Sequence, residues 1–320
     1  MDAQRIHFSD FGEAQMQLSP ALTGAYKGSL RAGLKFREQY RGFITQPFRT
    51  SQVYVDAPRG MKMADHHWIG IGMLMTRSDA GDLSMLGMQT GLSLAYHRAL
   101  DKKFKTIVSV GTQVLHSALQ INNPTAARFE DQLLATTGES RDQSLIDDFK
   151  SQRLAHKTGV AIKKIFNKRI VFQGGVSVQM DLRQWGTANT QSRLLNQYSA
   201  FGNWDIRFDK KSKITWKPSF VVHQAIGLTS AVGALGVQHY LNDESDFLIT
   251  YSGGYRLKDA AILGVRLSND IWSASLQYDM TTSSAQNYNG MNGALEFGIS
   301  RVFIIYPKVK EKVLFICPRL

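Results

Sequence analysis

The stretch Ile170-Val171-Phe172-Gln173-Gly174-Gly175-Val176-Ser177-Val178-Gln179-Met180-Asp181 sets the period of this chain. Ile170, Phe172, Val176, Val178 and Met180 share one parity, and Gln173, Gly175, Ser177, Gln179 and Asp181 the other. A helical face repeats about every 3.6 residues and would scatter these sets; a strand, whose side chains alternate sides, separates them cleanly. The same alternation returns at Leu86, Met88, Thr90, Leu92, Leu94 and Tyr96 against Gly87, Gln89, Gly91, Ser93, Ala95 and His97. It returns again at Phe247, Ile249, Tyr251, Tyr255 and Leu257 against Thr250, Ser252, Gly254 and Arg256.

Strand length then separates two all-β architectures. Strands of soluble sandwiches typically run about 5–6 residues, whereas a tilted strand needs about 9–11 to cross a bilayer. Many of the alternating runs are of the longer kind, and their second face carries glycine, serine, glutamine and charge, as the lumen of a membrane barrel does. The expected fold is an all-β, antiparallel transmembrane β-barrel of outer-membrane type with about 14 strands. Among the strand segments are 51–58, 158–167, 169–181 and 201–208. Every second connection is compact and polar (Asp101 to Lys105, Asn167-Lys168, Asp209 to Lys213, Asn242 to Ser245, Asn269-Asp270). The alternate set contains the long segments 120–157, 182–200 and 281–292. Short turns on one rim and long loops on the other are the outer-membrane pattern, with the short turns in the periplasm. The organisation expected is an N-terminal periplasmic or plug segment at 1–28, a barrel at 29–304 and a C-terminal periplasmic tail at 305–320.

Composition agrees without deciding. With 43% hydrophobic and 20% charged residues the chain is neither disordered nor collagenous, and 27 glycines against 7 prolines suit strands and turns. No run approaches the roughly 18 apolar residues of a membrane-spanning helix. The single cysteine, Cys317, excludes an internal disulfide framework and any multi-thiolate metal site. The net charge of +12 is spread over turns and tail, at Lys102-Lys103-Lys105, Lys163-Lys164, Lys168-Arg169, Lys210-Lys211-Lys213 and Lys308-Lys310-Lys312. Nucleic-acid binders concentrate charge in one groove with stacking aromatics, so no nucleic-acid partner is expected.

Both ends of the chain carry a resemblance. Ile6-His7-Phe8-Ser9-Asp10-Phe11 followed by Leu18-Ser19-Pro20-Ala21-Leu22-Thr23-Gly24 resembles the opening of the PorP/SprF family of Bacteroidota outer-membrane proteins, with Ser19 where the family usually has Asn. Arg31 to Tyr40 resembles that family's first strand. Ile271 to Ser283, with Tyr278-Asp279, and Gly293 to Ser300, with Glu296, resemble its last strands, and Cys317-Pro318-Arg319-Leu320 its ending. The resemblance implies a non-enzymatic component of the type IX secretion system in the bacterial outer membrane. Its role would be export and surface attachment of cargo, including gliding adhesins, with type B C-terminal sorting domains. The implied partners are such cargo, periplasmic or outer-membrane secretion components, and outer-membrane lipid or lipopolysaccharide. It also implies that a signal peptide precedes the mature chain, which begins near His7-Phe8-Ser9. The family-matched residues are His7, Phe8, Ser9, Pro20, Ala21, Gly24, Tyr278, Asp279 and Glu296; whether they hold the fold or touch a partner is open. The rival is an outer-membrane porin or hydrophobic-compound transporter, and a soluble β-sandwich or propeller binding module is a third reading.

Motifs of catalysis are weak. Gly70-Ile71-Gly72 lacks the third glycine of a dinucleotide fingerprint and reads as close packing at a barrel bend. Gly91-Leu92-Ser93-Leu94-Ala95 and Gly175-Val176-Ser177-Val178-Gln179 fail as nucleophile elbows. His97, His116, His223 and His239 read as lumen or interface residues, and His66-His67 point to opposite faces, poorly placed to chelate one ion. Met61, Met63, Met73, Met75, Met85 and Met88 read as lipid-facing or core residues. No cofactor or metal is implied. Tyr40, Tyr54, Trp68, Trp185, Trp204, Trp216, Trp272, Tyr278 and Phe303 read as interfacial girdle residues near strand ends.

Overall fold

In a computed structural model the alternating runs become strands β1 (Leu30–Gln39), β2 (Phe48–Lys62), β3 (His67–Ala80), β4 (Met85–Ala99), β5 (Thr106–Ile121), β6 (Lys150–Ile165) and β7 (Ile170–Gly186). They continue as β8 (Asn196–Ile206), β9 (Thr215–Ala225), β10 (Leu228–Tyr240), β11 (Leu248–Arg256), β12 (Ala260–Ser268), β13 (Trp272–Thr281) and β14 (Asn292–Phe303). The structure describes residues 8–10, 12, 15–41, 46–62, 66–80, 85–121, 150–167, 169–186, 196–208, 213–225, 228–241, 246–283 and 292–304. Each strand is antiparallel to its neighbours in sequence and β14 returns to β1, closing the sheet with Leu30 opposite Phe303 and Arg37 opposite Glu296. Closure leaves no unpaired edge, the condition for a sheet to sit in hydrocarbon.

The packing is inverted relative to a soluble protein. Leu92, Leu94 and Tyr96 of β4, Ile69, Ile71, Met73 and Met75 of β3, and Leu263 of β12 point outward and are exposed. Lys35, His97, Gln52, Gln113, Asp56, Asp279 and Glu296 point inward and are buried. On the outer face Phe172, Trp204 and Phe220 form a row across β7, β8 and β9, with centroids 4.9 and 5.9 Å apart, and Arg301 lies over both Trp272 and Phe303 at 4.7 and 4.8 Å. Trp204, Trp272 and Phe303 lie near strand ends, where girdle rings are expected, whereas Phe220 is in the middle of β9. Tyr54 and Trp68 depart from the girdle reading: both face the lumen, 5% and 4% exposed. Their parity matches that of Asp56 and Gly70 on the same strands, and that parity faces inward.

β1 begins and β14 ends on the rim of short turns, here the terminal rim; the opposite, loop rim carries the long connections. Strands β2 to β7 run 14 to 17 residues, but β11 and β12 only 9 and β13 only 10, so the wall is low on one side. Four strands run four or more residues past their expected bounds at one end. β6 starts at Lys150 rather than 158, because residues 150–157 are polar on both faces apart from Leu154 and Ala155 and carry little alternation to read; β8 starts at Asn196 rather than 201, where Asn196, Gln197 and Ser199 leave Tyr198 as the one large ring. β7 runs on to Gly186 past a register shift at Leu154/Ala155. β2 passes through Pro58 to Lys62, since Pro58 lies beyond the last β1 partner, Asp56, and pairs only with Gly70 of β3, so on the β1 side its missing N–H breaks no ladder bond. Pro218 of β9 does break one: the β8–β9 register skips from Asn203/Ser219 to Ile206/Trp216.

No helix among the described residues is long and apolar enough to cross a membrane. His7, Met63 and Cys317, the Met61 side chain, the tail 305–320 and most of the connections 120–157, 182–200 and 281–292 lie outside the described residues.

Candidate functional site: the occupied lumen

Residues 8–29 carry a one-turn helix α1 (Gln15–Leu18) and a 3-10 turn η1 (Pro20–Leu22) capped by Ser19, whose hydroxyl accepts from the Ala21 N–H at 3.3 Å. Elements this short have no stability of their own. Leu18, Ala21 and Leu22 pack with Ala161, Phe201, Val221, Val232 and Ile262, from strands β6, β8, β9, β10 and β12. Only a segment inside the closed sheet can touch so much of its circumference.

On the β3–β6 side the wall is cut away to receive it. A Cβ built at Gly70 would collide with the Thr23 carbonyl oxygen, one at Gly111 with the Pro20–Ala21 backbone, and one at Gly159 with Ser19 Oγ. Gly70-Ile71-Gly72 is therefore close packing, but against the lumenal segment and not at a barrel bend. Gly24, at φ +69, turns the segment toward β1. Its N–H donates to Asp56 Oδ2 at 2.7 Å and its carbonyl accepts from Trp68 Nε1 at 3.0 Å. Arg31 meets Asp56 with two parallel bonds, 2.9 and 2.8 Å, donates to Gln15 Oε1 at 2.8 Å and lies 4.5 Å from the Tyr26 ring. Burial foremost, then the Asp56 charge, pushes the Tyr26 hydroxyl well above its usual range. His97, stacked on Trp68 at 4.9 Å, spans Ser109 Oγ and the Thr23 carbonyl, both at 2.7 Å. The far ring nitrogen therefore faces a carbonyl rather than the acid a nucleophile–base relay needs.

The segment's other end sits at the loop rim, on the low wall. Glu296 accepts the Ser9 N–H at 2.8 and 2.9 Å through its two oxygens and the Asp10 N–H at 3.1 Å. Ser9 Oγ donates to Asp279 Oδ2 at 2.7 Å and accepts from Arg256 and, at 3.2 Å, from Arg37. Arg37 pairs with Glu296 and, at 3.2 Å, with Asp279; Arg256 pairs with Asp279 and Asp259, both at 2.8 Å. Lys35 donates to the Asp10 carbonyl with its ammonium 4.4 Å from the Phe8 ring centre, and Arg266 pairs with the Asp10 carboxylate. Burial alone would raise the Asp10 carboxyl, but the Arg266 and Lys35 cations outweigh it and hold the group well below the usual range.

Of the family-matched residues, Phe8, Ser9, Asp279 and Glu296 converge on this loop-rim cluster, while Pro20, Ala21 and Gly24 lie in the glycine cradle at the other end. Tyr278 points away from its neighbour Asp279, outward and 40% exposed, and joins neither. Lys35, Arg37, Arg256, Arg266 and Asp56 were not singled out from the sequence. Arg31, Lys35 and Arg37 share one parity on the polar face of β1, and three cations on an inward face require buried partners.

The family model described as Type IX secretion system membrane protein PorP/SprF matches residues 1–298. A comparison with curated protein sequences gives no match. Among solved structures, the CymD monoaromatic hydrocarbon channel superposes with a TM-score of 0.54 at 10% identity, covering 92% of this chain and 94% of that one. A FadL homologue from Pseudomonas aeruginosa gives 0.51 at 9% identity, covering 90% and 93%. At such identities the likeness is one of fold: the chain shares the architecture of outer-membrane barrels.

Proposed function

Because the chain belongs to the PorP/SprF family of type IX secretion system membrane proteins, we propose that it serves in the outer membrane as a non-enzymatic partner that receives secreted proteins and holds them at the cell surface. The short-turn, terminal rim faces the periplasm and the loop rim faces outward, following the usual asymmetry of such barrels. Cargo is an adhesin-like protein with a type B C-terminal sorting domain, met at the loop rim. Other secretion components meet the terminal rim, where Lys102, Lys103, Lys105, Arg169 and Lys213 supply positive charge.

The observation that carries this reading is the lumen's occupancy. A barrel for free diffusion needs an open path, whereas here the chain's own segment, described at 8–10, 12 and 15–24, reaches from the low wall at β11–β14 to the glycine cradle at β3–β6, fastened by backbone N–H groups to the buried carboxylates of Glu296 and Asp56 and by the Asp10–Arg266 pair. Such a barrel is suited to binding. Deletion of the gene tests this: a type B cargo should fail to reach or stay on the surface, measured by antibody labelling of intact cells. Normal cargo display would overturn the proposal.

A further inference from the structure

The loop-rim cluster has the construction of a peptide-binding site whose present occupant is the chain's own Phe8-Ser9-Asp10. It reads three things. Glu296 takes two successive backbone N–H groups, a contact any extended peptide without proline can make. Asp279, Arg256 and Arg37 surround one small hydroxyl. Arg266 and Lys35 converge on the following residue's carboxylate and carbonyl, with Lys35 also over the preceding aromatic ring. The readers are built into the wall: Lys35, Asp279 and Glu296 are each 1% exposed, Arg37 7% and Arg256 9%.

Two features distinguish this end from the cradle. Arg37 and Arg256 are held by wall carboxylates without the segment, Arg37 by Asp279 and Glu296 and Arg256 by Asp279 and Asp259, so this part of the site is built independently of Phe8-Ser9-Asp10. The occupant's carboxylate is met by Arg266 and its carbonyl by Lys35. The site also lies close to the mouth, because Arg256 is the last residue of the short β11 and Asp259, in the turn that follows, has a half-exposed side chain. The cradle end, by contrast, is held by Leu18, Ala21 and Leu22 in an apolar cluster and by glycines that admit the backbone itself. The segment can release its first residues without leaving the barrel.

We infer that this cluster is an exchangeable docking site for an extended acidic peptide, an aromatic residue followed by serine and a carboxylate, which displaces Phe8-Ser9-Asp10 from the loop rim. That the peptide belongs to secreted cargo rests on the functional reading above; the site itself does not.

The test uses the purified full chain in detergent and a fluorescein-labelled peptide copying residues 6–12. In the Asp10→Ala variant, whose own segment is weakened, the peptide should bind roughly tenfold or more tightly than in the unmodified chain, where the tethered segment competes at high effective concentration. Replacing the peptide's aspartate by asparagine should weaken binding roughly tenfold or more, as should Glu296→Gln in the Asp10→Ala background. Ser9→Pro, which removes the N–H given to Glu296, is the second host should Asp10→Ala fail to give the heat-modifiable migration of a folded barrel. Equal binding to modified and unmodified chains, no binding to either host, or indifference to the peptide's aspartate overturns the inference. Cargo display in the gene deletion is an independent readout: if display is normal while the peptide binds as expected, the functional reading falls and the site stands.

Discussion

A methyl group at position 70 would meet the carbonyl oxygen of Thr23, a backbone atom held in place by His97 Nε2 at 2.7 Å, so neither side can yield cheaply. Overpacking of this kind costs typically about 1–3 kcal/mol, and Gly70→Ala should lower the denaturation midpoint of the detergent-solubilised barrel accordingly. Gly233, on β10, is the control: a Cβ there meets nothing within 4 Å, and Gly233→Ala should be neutral or stabilise by up to about 1 kcal/mol through the unfolded chain. Equal effects at the two positions would show that the cradle bears no load. At this scale the sequence was only half legible. Glycines at 70 and 72 announce a close approach, but the backbone that approaches is remote in the chain, and alternation says nothing about it. Tyr54 and Trp68 were misplaced for a related reason: an aromatic near a strand end looks the same whether it faces lipid or lumen, and only the parity of its neighbours tells.

The elements divide by how their stability arises. The strands were legible because a sheet between lipid and water imposes a period of two, and legibility stopped where the lipid stops, as in residues 150–157. The lumenal segment has no period, and α1 and η1 are too short to be read as helices; its place follows from partners supplied by ten or more strands. Those partners include charges, which makes its docking pH-dependent. Asp10 has a folded-state pKa depressed below its unfolded value of about 3.9. A depressed acid contributes stability that is fully present above the unfolded value and is lost as pH falls through the folded one. The stability difference between the unmodified chain and Asp10→Asn should therefore be constant above about pH 5 and shrink as pH falls from about 4 toward 2. Measuring denaturation midpoints of both across this range checks it; a gap that stays constant down to pH 2 would mean that Asp10 is not held by Arg266 and Lys35.

On the scale of the whole molecule, one seam carries both closure and occupancy. β1 and β14, the first and last strands described, meet at Arg37 and Glu296, and the same Glu296 holds Ser9, so the lumenal segment is fastened where the sheet closes. A barrel so arranged and an open porin of the same topology differ in one physical property, the passage of ions. Reconstituted into planar bilayers, the unmodified protein should show little steady conductance. Leu22→Asp places an uncompensated carboxylate among Leu18, Phe201, Val221, Val232 and Ile262, a burial costing several kcal/mol, and the segment should leave the cradle to avoid it. Conductance should then rise several-fold while the folded barrel's electrophoretic mobility is retained. Large steady conductance in the unmodified protein would favour the porin reading over attachment. A folded Leu22→Asp barrel that conducts no better than the unmodified one would mean that something other than residues 8–24 closes the lumen.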